Sequence, residues 1–184
     1  HLHAHVIPSP EAIITHRIGV IQSQSGDKEV EAMRKIHALL NAPGTISCGY
    51  NTLGFDDEFL RFSFYRNLLH PYTHQYKNNC ARMDLYPIAL MYYLFQPDVL
   101  EWPEHDGRPS LKLEYLSQAN HLATGQAHDA MVDVEATVAL AKKLIAKKDM
   151  WGFVSAYFNK QTDQERLHKL NNAFGHYKEA LLVT

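Results

Sequence analysis

Apolar positions change their period several times along the chain, and each change marks an element. Val30, Met33, Ile36 and Leu40 recur at helical spacing behind Asp27, which predicts a helix over 27–40. "NAPG", Asn41 to Gly44, stops it. "TISCGY", Thr45 to Tyr50, is a short apolar run of the kind a parallel sheet buries on both faces. A helix is expected over 56–69, a second strand at "CARMDL", and then a helix at "YPIALMYYLF" with Asp84 as its N-cap. "EWPEHDGRPS" reads as a loop, and Ser110 reads as the cap of a helix through "LKLEYLSQAN". The last clear helix spans 130–148, where Lys142, Lys143, Lys147 and Lys148 suit the negative end of the helix dipole. "HLHAHVIPSP" reads as an extended start closed by Pro8 and Pro10, and the tail from Met150 holds helical pieces with less pattern.

Strands alternating with helices imply an α/β sheet covered by helices. Two or three short strands are few for so many helices, and this shortage is a feature to be explained. Composition changes the picture little. The chain has 184 residues, with 46% apolar and 21% charged, which suits one soluble globular domain. A net charge of −2 announces no nucleic-acid partner, so any such site has to be a local patch. Cys48 and Cys80 fit a reduced, cytoplasmic protein better than a disulfide scaffold. The longest apolar runs are too short for a membrane span, and no signal peptide is visible.

Two helix starts carry more acid than capping needs. In "GQAHDAMVDVEAT", Gly125 to Thr137, Asp129 suits the N-cap, while His128 precedes it and Asp133 follows one turn later. A purely structural reading makes Asp133 a solvated residue near a favourable dipole end. In "GYNTLGFDDEFLRFSFYRN", Asn51 stands at a strand end, where its side-chain amide can tie down a loop. Phe55 and Asp56 then open a helix, and Asp56, Asp57 and Glu58 all suit its N-terminus.

Together the two stretches resemble the second and third motifs of DEDD-type 3′→5′ exonucleases, in the branch with a His in its third motif. The similarity is closest to the bacterial exonuclease I family, because "WPEHDGRPSLKLEYLSQAN" and "IPSPEAIITHRIG" also look like that family, in order and spacing. The resemblance implies a ribonuclease H-like (DnaQ-like) fold and hydrolysis of single-stranded DNA to mononucleotides. It implies two ions of Mg²⁺ or Mn²⁺, with Asp56 and Asp133 as metal carboxylates, His128 as general base, and Asn51 and Phe55 in support. Such carboxylates suit a hard cation, and two cations about 3.5–4 Å apart serve both attacking and leaving oxygens. A single-strand-binding protein is implied as a possible protein partner, by analogy with the family, and a membrane is not.

One family element has no counterpart. The first motif is Asp-x-Glu at the end of a central strand; the first such triplet here, Asp27-Lys28-Glu29, follows the polar "QSQSG" and opens an amphipathic helix. The expectation is an incomplete exonuclease domain over 1–148, inactive alone, then a helical connector over 149–184 toward an absent SH3-like domain. Competing readings are an RNA or proofreading exonuclease of the same superfamily, a non-catalytic nucleic-acid-binding remnant, and an amidohydrolase-like metal site at His1, His3 and His5. The last lacks the later His and Asp ligands it would need. Arg61, Arg66, Arg82 and Lys112 are candidate phosphate contacts, with Lys77 and Arg108 nearby. Phe55, Phe59, Phe62, Phe64 and Tyr65 are expected mostly in the core, as are both cysteines; Trp102 is expected as a packed loop aromatic and Glu135 as solvated.

Overall fold

The computed structural model describes residues 6–124, 130–170, 172–173 and 177–178. Two short helices come first, α1 (Pro10–His16) and α2 (Val20–Gln24). Pro10 opens α1 instead of closing an extended segment: the first helical turn needs no N–H from it, and the Ser9 hydroxyl caps the turn by accepting from Ala12 at 3.1 Å. There follow α3 (Glu29–Leu40), β1 (Ile46–Gly49), α4 (Asp56–Arg66), β2 (Ala81–Asp84) and α5 (Leu85–Phe95).

β1 and β2 run parallel, with Ile46 opposite Ala81 and Gly49 opposite Asp84. Parallel neighbours need a long crossover, and α4 with the segment after it supplies one. Among the described residues this parallel sheet has two strands, so the shortage expected from the sequence stands. It also explains why β1 is not buried on both faces. With a strand on one side only, Ile46 stays 55% exposed and Cys48 is exposed as well, while Cys80 is buried as expected.

The remaining elements are β3 (Glu104–His105), β4 (Arg108–Pro109), α6 (Leu113–Asn120), α7 (Ala130–Ile145), α8 (Lys148–Ser155), α9 (Lys160–Lys169), and a small antiparallel pair, β5 (Asn172–Ala173) with β6 (Tyr177–Lys178). The stretch expected as a plain loop thus contains a hairpin. Its two-residue turn is Asp106-Gly107, at φ 53° and 70°, the left-handed pair that matches strand twist. Ser110 is spent on this hairpin, its N–H donating to Pro103 at 2.9 Å, so α6 starts two residues later than expected with Lys112 at the N-cap.

The core joins α5, α7 and α8. Leu85, Ile88 and Tyr92 of α5 meet Ala136, Leu140 and Leu144 of α7 and Val154 of α8, all at most 2% exposed. The boundary expected at residue 148 falls at the first residue of α8, whose Val154 shares this core. Trp102 packs at its margin, ring to ring with Tyr93 at 5.3 Å, and donates to Pro97 at 2.7 Å. The aromatics of α4 depart from expectation. Phe64 is fully buried, but Phe55, Phe59, Phe62 and Tyr65 are 54–72% exposed, because α4 meets the fold through the opposite face, at Asp57, Ser63 and Phe64.

Candidate active site

Between β1 and α4 the chain turns sharply. Gly49 ends the strand where an added Cβ would collide with the Thr52 side chain. Asn51 then sits at φ 55°, a left-handed conformation that Asn tolerates better than most residues. The tie expected from the Asn51 side chain is made by its backbone: its N–H donates to Asp84 Oδ1 at 2.7 Å, and that of Thr52 to Asp84 Oδ2 at 2.9 Å. Asp84 Oδ1 also accepts from Tyr86 at 2.9 Å, which is the expected N-cap of α5. Asp57 N–H closes the loop onto Thr52 at 3.1 Å, and the Asp57 carboxylate forms an ion pair with Arg82 of β2.

This loop opens onto a cleft of about 1340 Å³. Asn51, Asp56 and Asp133 all line it, together with Arg82 and Lys112. Asp56 comes from the first turn of α4 and Asp133 from the first turn of α7, so two helix starts deliver one carboxylate each to a common space. The walls are mostly apolar: Leu40 of α3, Cys48 of β1, Leu60 of α4, and Val134 and Val138 of α7. Tyr50 at the cleft donates to the Leu111 carbonyl, and burial pushes its phenol well above the usual range, so it stays protonated. The Cys48 thiol, although its side chain is partly exposed, is also raised, by partial burial first and then by Asp84.

The other candidates separate by position. Phe55 is 70% exposed, stacked on Phe59 at 6.0 Å, and does not line the cleft. Arg61 and Arg66 do not line it either: Arg61 donates to Asp57 O at 3.1 Å and lies over the Tyr72 ring, and Arg66 pairs with Glu29 at 2.8 Å. Lys112 is exposed at the cleft beside the Tyr115 ring. Asp27 pairs with Lys35 at 2.6 Å and Glu29 begins α3, so that Asp-x-Glu triplet lies away from the cleft. His128, Asp129 and the histidines His1, His3 and His5 lie outside the described residues. Sequence reasoning missed the loop role of Asp84 and the Asp57–Arg82 pair; the one signal was three acids in a row where α4 needs no more than one.

Two carboxylates on a common cleft fit the oxygen chemistry of a hard divalent cation. Among the described residues no cluster of three or more His, Cys, Asp or Glu side chains is placed to enclose a metal.

No family model matches the chain. Exodeoxyribonuclease I of Haemophilus influenzae is 37% identical to it over 166 residues, 89% of this chain and 34% of that protein. The crystal structure of E. coli exonuclease I in complex with a dA16 oligonucleotide superposes with a TM-score of 0.79 at 33% identity, covering 88% of this chain and 35% of that one. The chain is a relative of exodeoxyribonuclease I. Its fold is the ribonuclease H-like α/β fold of exonuclease I, in part. An ExoI/SSB-Ct complex is similar too, at 32% identity and a TM-score of 0.79, over 88% of this chain and 35% of that one. The chain thus spans about a third of the length of the exonuclease I proteins it matches. No helix among the described residues is long and apolar enough to cross a membrane.

Proposed function

We propose that this chain supplies part of the active site of a 3′→5′ exonuclease that hydrolyses single-stranded DNA to mononucleotides in the cytoplasm. The observation that carries the reading is that Asp56 and Asp133, from two separate helix starts, line one cleft. In this reading they are metal carboxylates, and His128 is the general base. Two bound Mg²⁺ or Mn²⁺ ions would supply charge stabilisation for the attacking and leaving oxygens. The chain's own residues then have three tasks. Asp56 and Asp133 hold hard cations without desolvating them fully, His128 takes the proton of the attacking water, and Lys112 offers a cation to the phosphate backbone at the cleft mouth.

The remaining carboxylates of the site come, by family resemblance, from a strand ending in Asp-x-Glu. Among the described residues β1 has a strand on one side only, and its other edge with the apolar walls of the cleft suits such a strand, which would hydrogen-bond to β1 and cover Val134 and Val138. A single-strand-binding protein is the proposed protein partner, by the likeness to the ExoI/SSB-Ct complex. The test is a polypeptide carrying this chain together with such a strand, given 5′-labelled single-stranded DNA and Mg²⁺. Progressive shortening from the 3′ end with release of mononucleotides is expected. Cleavage from the 5′ end, or faster cleavage of RNA than of DNA, overturns the reading.

A further inference from the structure

β2 carries two charged side chains two residues apart, and therefore on one face of the strand: Arg82 and Asp84. Both reach across to the segment that presents Asp56. Asp84 is 5% exposed and accepts from three backbone N–H groups. Capping α5 takes one of them, from Tyr86; the other two belong to Asn51 and Thr52, at the exit of β1. The two loop amides use different oxygens, Oδ1 for Asn51 and Oδ2 for Thr52. Only a carboxylate offers both, since an amide side chain has one acceptor oxygen and an NH₂ that would face an N–H. Arg82 holds the far end of the same segment, through its ion pair with Asp57, whose side chain is 10% exposed.

We propose that Arg82 and Asp84 are positioning residues for Asp56, fixing residues 51–57 at both ends so that Asp56 is presented to the cleft. Successive residues of a helix point about 100° apart. Holding Asp57 against β2 therefore sets the roll of the first turn of α4, and with it the direction of the Asp56 carboxylate. Without the two clamps the loop keeps its own Asp57-to-Thr52 bond but loses its register on β2. The proposal rests on the metal reading of Asp56 and assigns Arg82 a task other than binding phosphate.

The test uses Mn²⁺ with the full chain. NMR line broadening around Asp56 and Asp133 reports metal binding, and amide exchange at Asn51 and Thr52 reports the clamp. Urea midpoints report stability. Asp84→Asn and Arg82→Gln are each expected to weaken Mn²⁺ binding about tenfold or more, the usual cost of losing the groups that orient a ligand. Asp84→Asn should also speed exchange at Asn51 and Thr52, and Arg82→Lys should restore most of the binding that Arg82→Gln loses. If the variants lose stability or amide protection but bind Mn²⁺ as the parent does, the residues only hold the fold together and the proposal is overturned. If Asp84→Asn fails to fold, Arg82→Gln decides the matter from the other end of the segment. If the parent chain itself shows no Mn²⁺ effect near Asp56 and Asp133, the metal reading fails, and the positioning proposal falls with it.

Discussion

The Tyr92 hydroxyl donates to the Leu144 carbonyl at 2.7 Å, joining α5 to the last turn of α7 at a fully buried point. It also reaches the Lys147 carbonyl at 3.3 Å, at the N-cap of α8, so one phenol ties α5 to the turn between α7 and α8. Tyr92→Phe keeps the ring packing and removes the donor. The expected loss is about 0.5–1.5 kcal/mol, the net worth of one hydrogen bond, because the Leu144 carbonyl keeps the Lys147 N–H and the Lys147 carbonyl keeps the Trp151 N–H. Urea unfolding checks this, and a loss within a few tenths of a kcal/mol would mean that water replaces the phenol.

His74 is 2% exposed, edge-on to Phe64 at 5.5 Å. Burial first, then His37 and Arg61, holds its imidazole below the ordinary value of 6.5. A group with a lowered folded pKa takes up a proton more readily once unfolded. Below about pH 6.5 the unfolded chain therefore binds more protons, and stability falls as pH falls. Above that value both states are neutral and His74 adds no slope. The melting temperature should drop between about pH 7.5 and about pH 5.5, and the drop should be smaller in His74→Gln. An identical drop in both proteins would place the titration elsewhere.

Much of this fold is legible in the sequence, and what is not has identifiable causes. α5 is readable because an N-cap acid precedes an unbroken apolar run, and β1 is readable as a short apolar segment. α1 is hidden because Pro8 and Pro10 both look like stops, while only their place relative to Ser9 makes Pro10 a start. The hairpin at residues 104–109 is missed although Asp106-Gly107 announces it, since no apolar alternation flanks so short a ribbon. Exposure of the α4 aromatics is not readable at all, because it depends on which face of the helix finds a partner. In the site, Asp56 and Asp133 are legible as acids in excess of capping needs. The loop bonds of Asp84 are not, since their donors, Thr52 and Asn51, lie 32 and 33 residues away along the chain.

By itself the chain should bind Mg²⁺ weakly and hydrolyse DNA at no more than a trace rate. Two carboxylates fall short of what two hard cations take. Its stability should also be low, because Val134 and Val138 of α7 remain 53% and 48% exposed along the cleft. Calorimetric titration with Mg²⁺, urea unfolding, and digestion of 3′-labelled single strands measure the three. Robust digestion that disappears in Asp56→Ala would show that the present residues suffice and that the ligand set has been undercounted.

The acids and the imidazole around the start of α7 should separate by readout in a polypeptide that also carries the Asp-x-Glu strand. His128→Ala should lower turnover by roughly 10²–10⁴-fold, the usual worth of a general base. Its metal affinity should hardly change, because in this reading His128 meets the attacking water and no metal. Asp133→Ala should lose both turnover and metal binding, as a carboxylate lining the same cleft as Asp56. Asp129→Ala should remove a helix cap, at about 0.5–2 kcal/mol of stability, with little change in activity. Metal titration, single-turnover rates on 3′-labelled single strands and urea midpoints read the three effects independently. If Asp129→Ala abolishes chemistry while Asp133→Ala leaves it intact, the motif is out of register by one helical turn, and cap and ligand exchange roles.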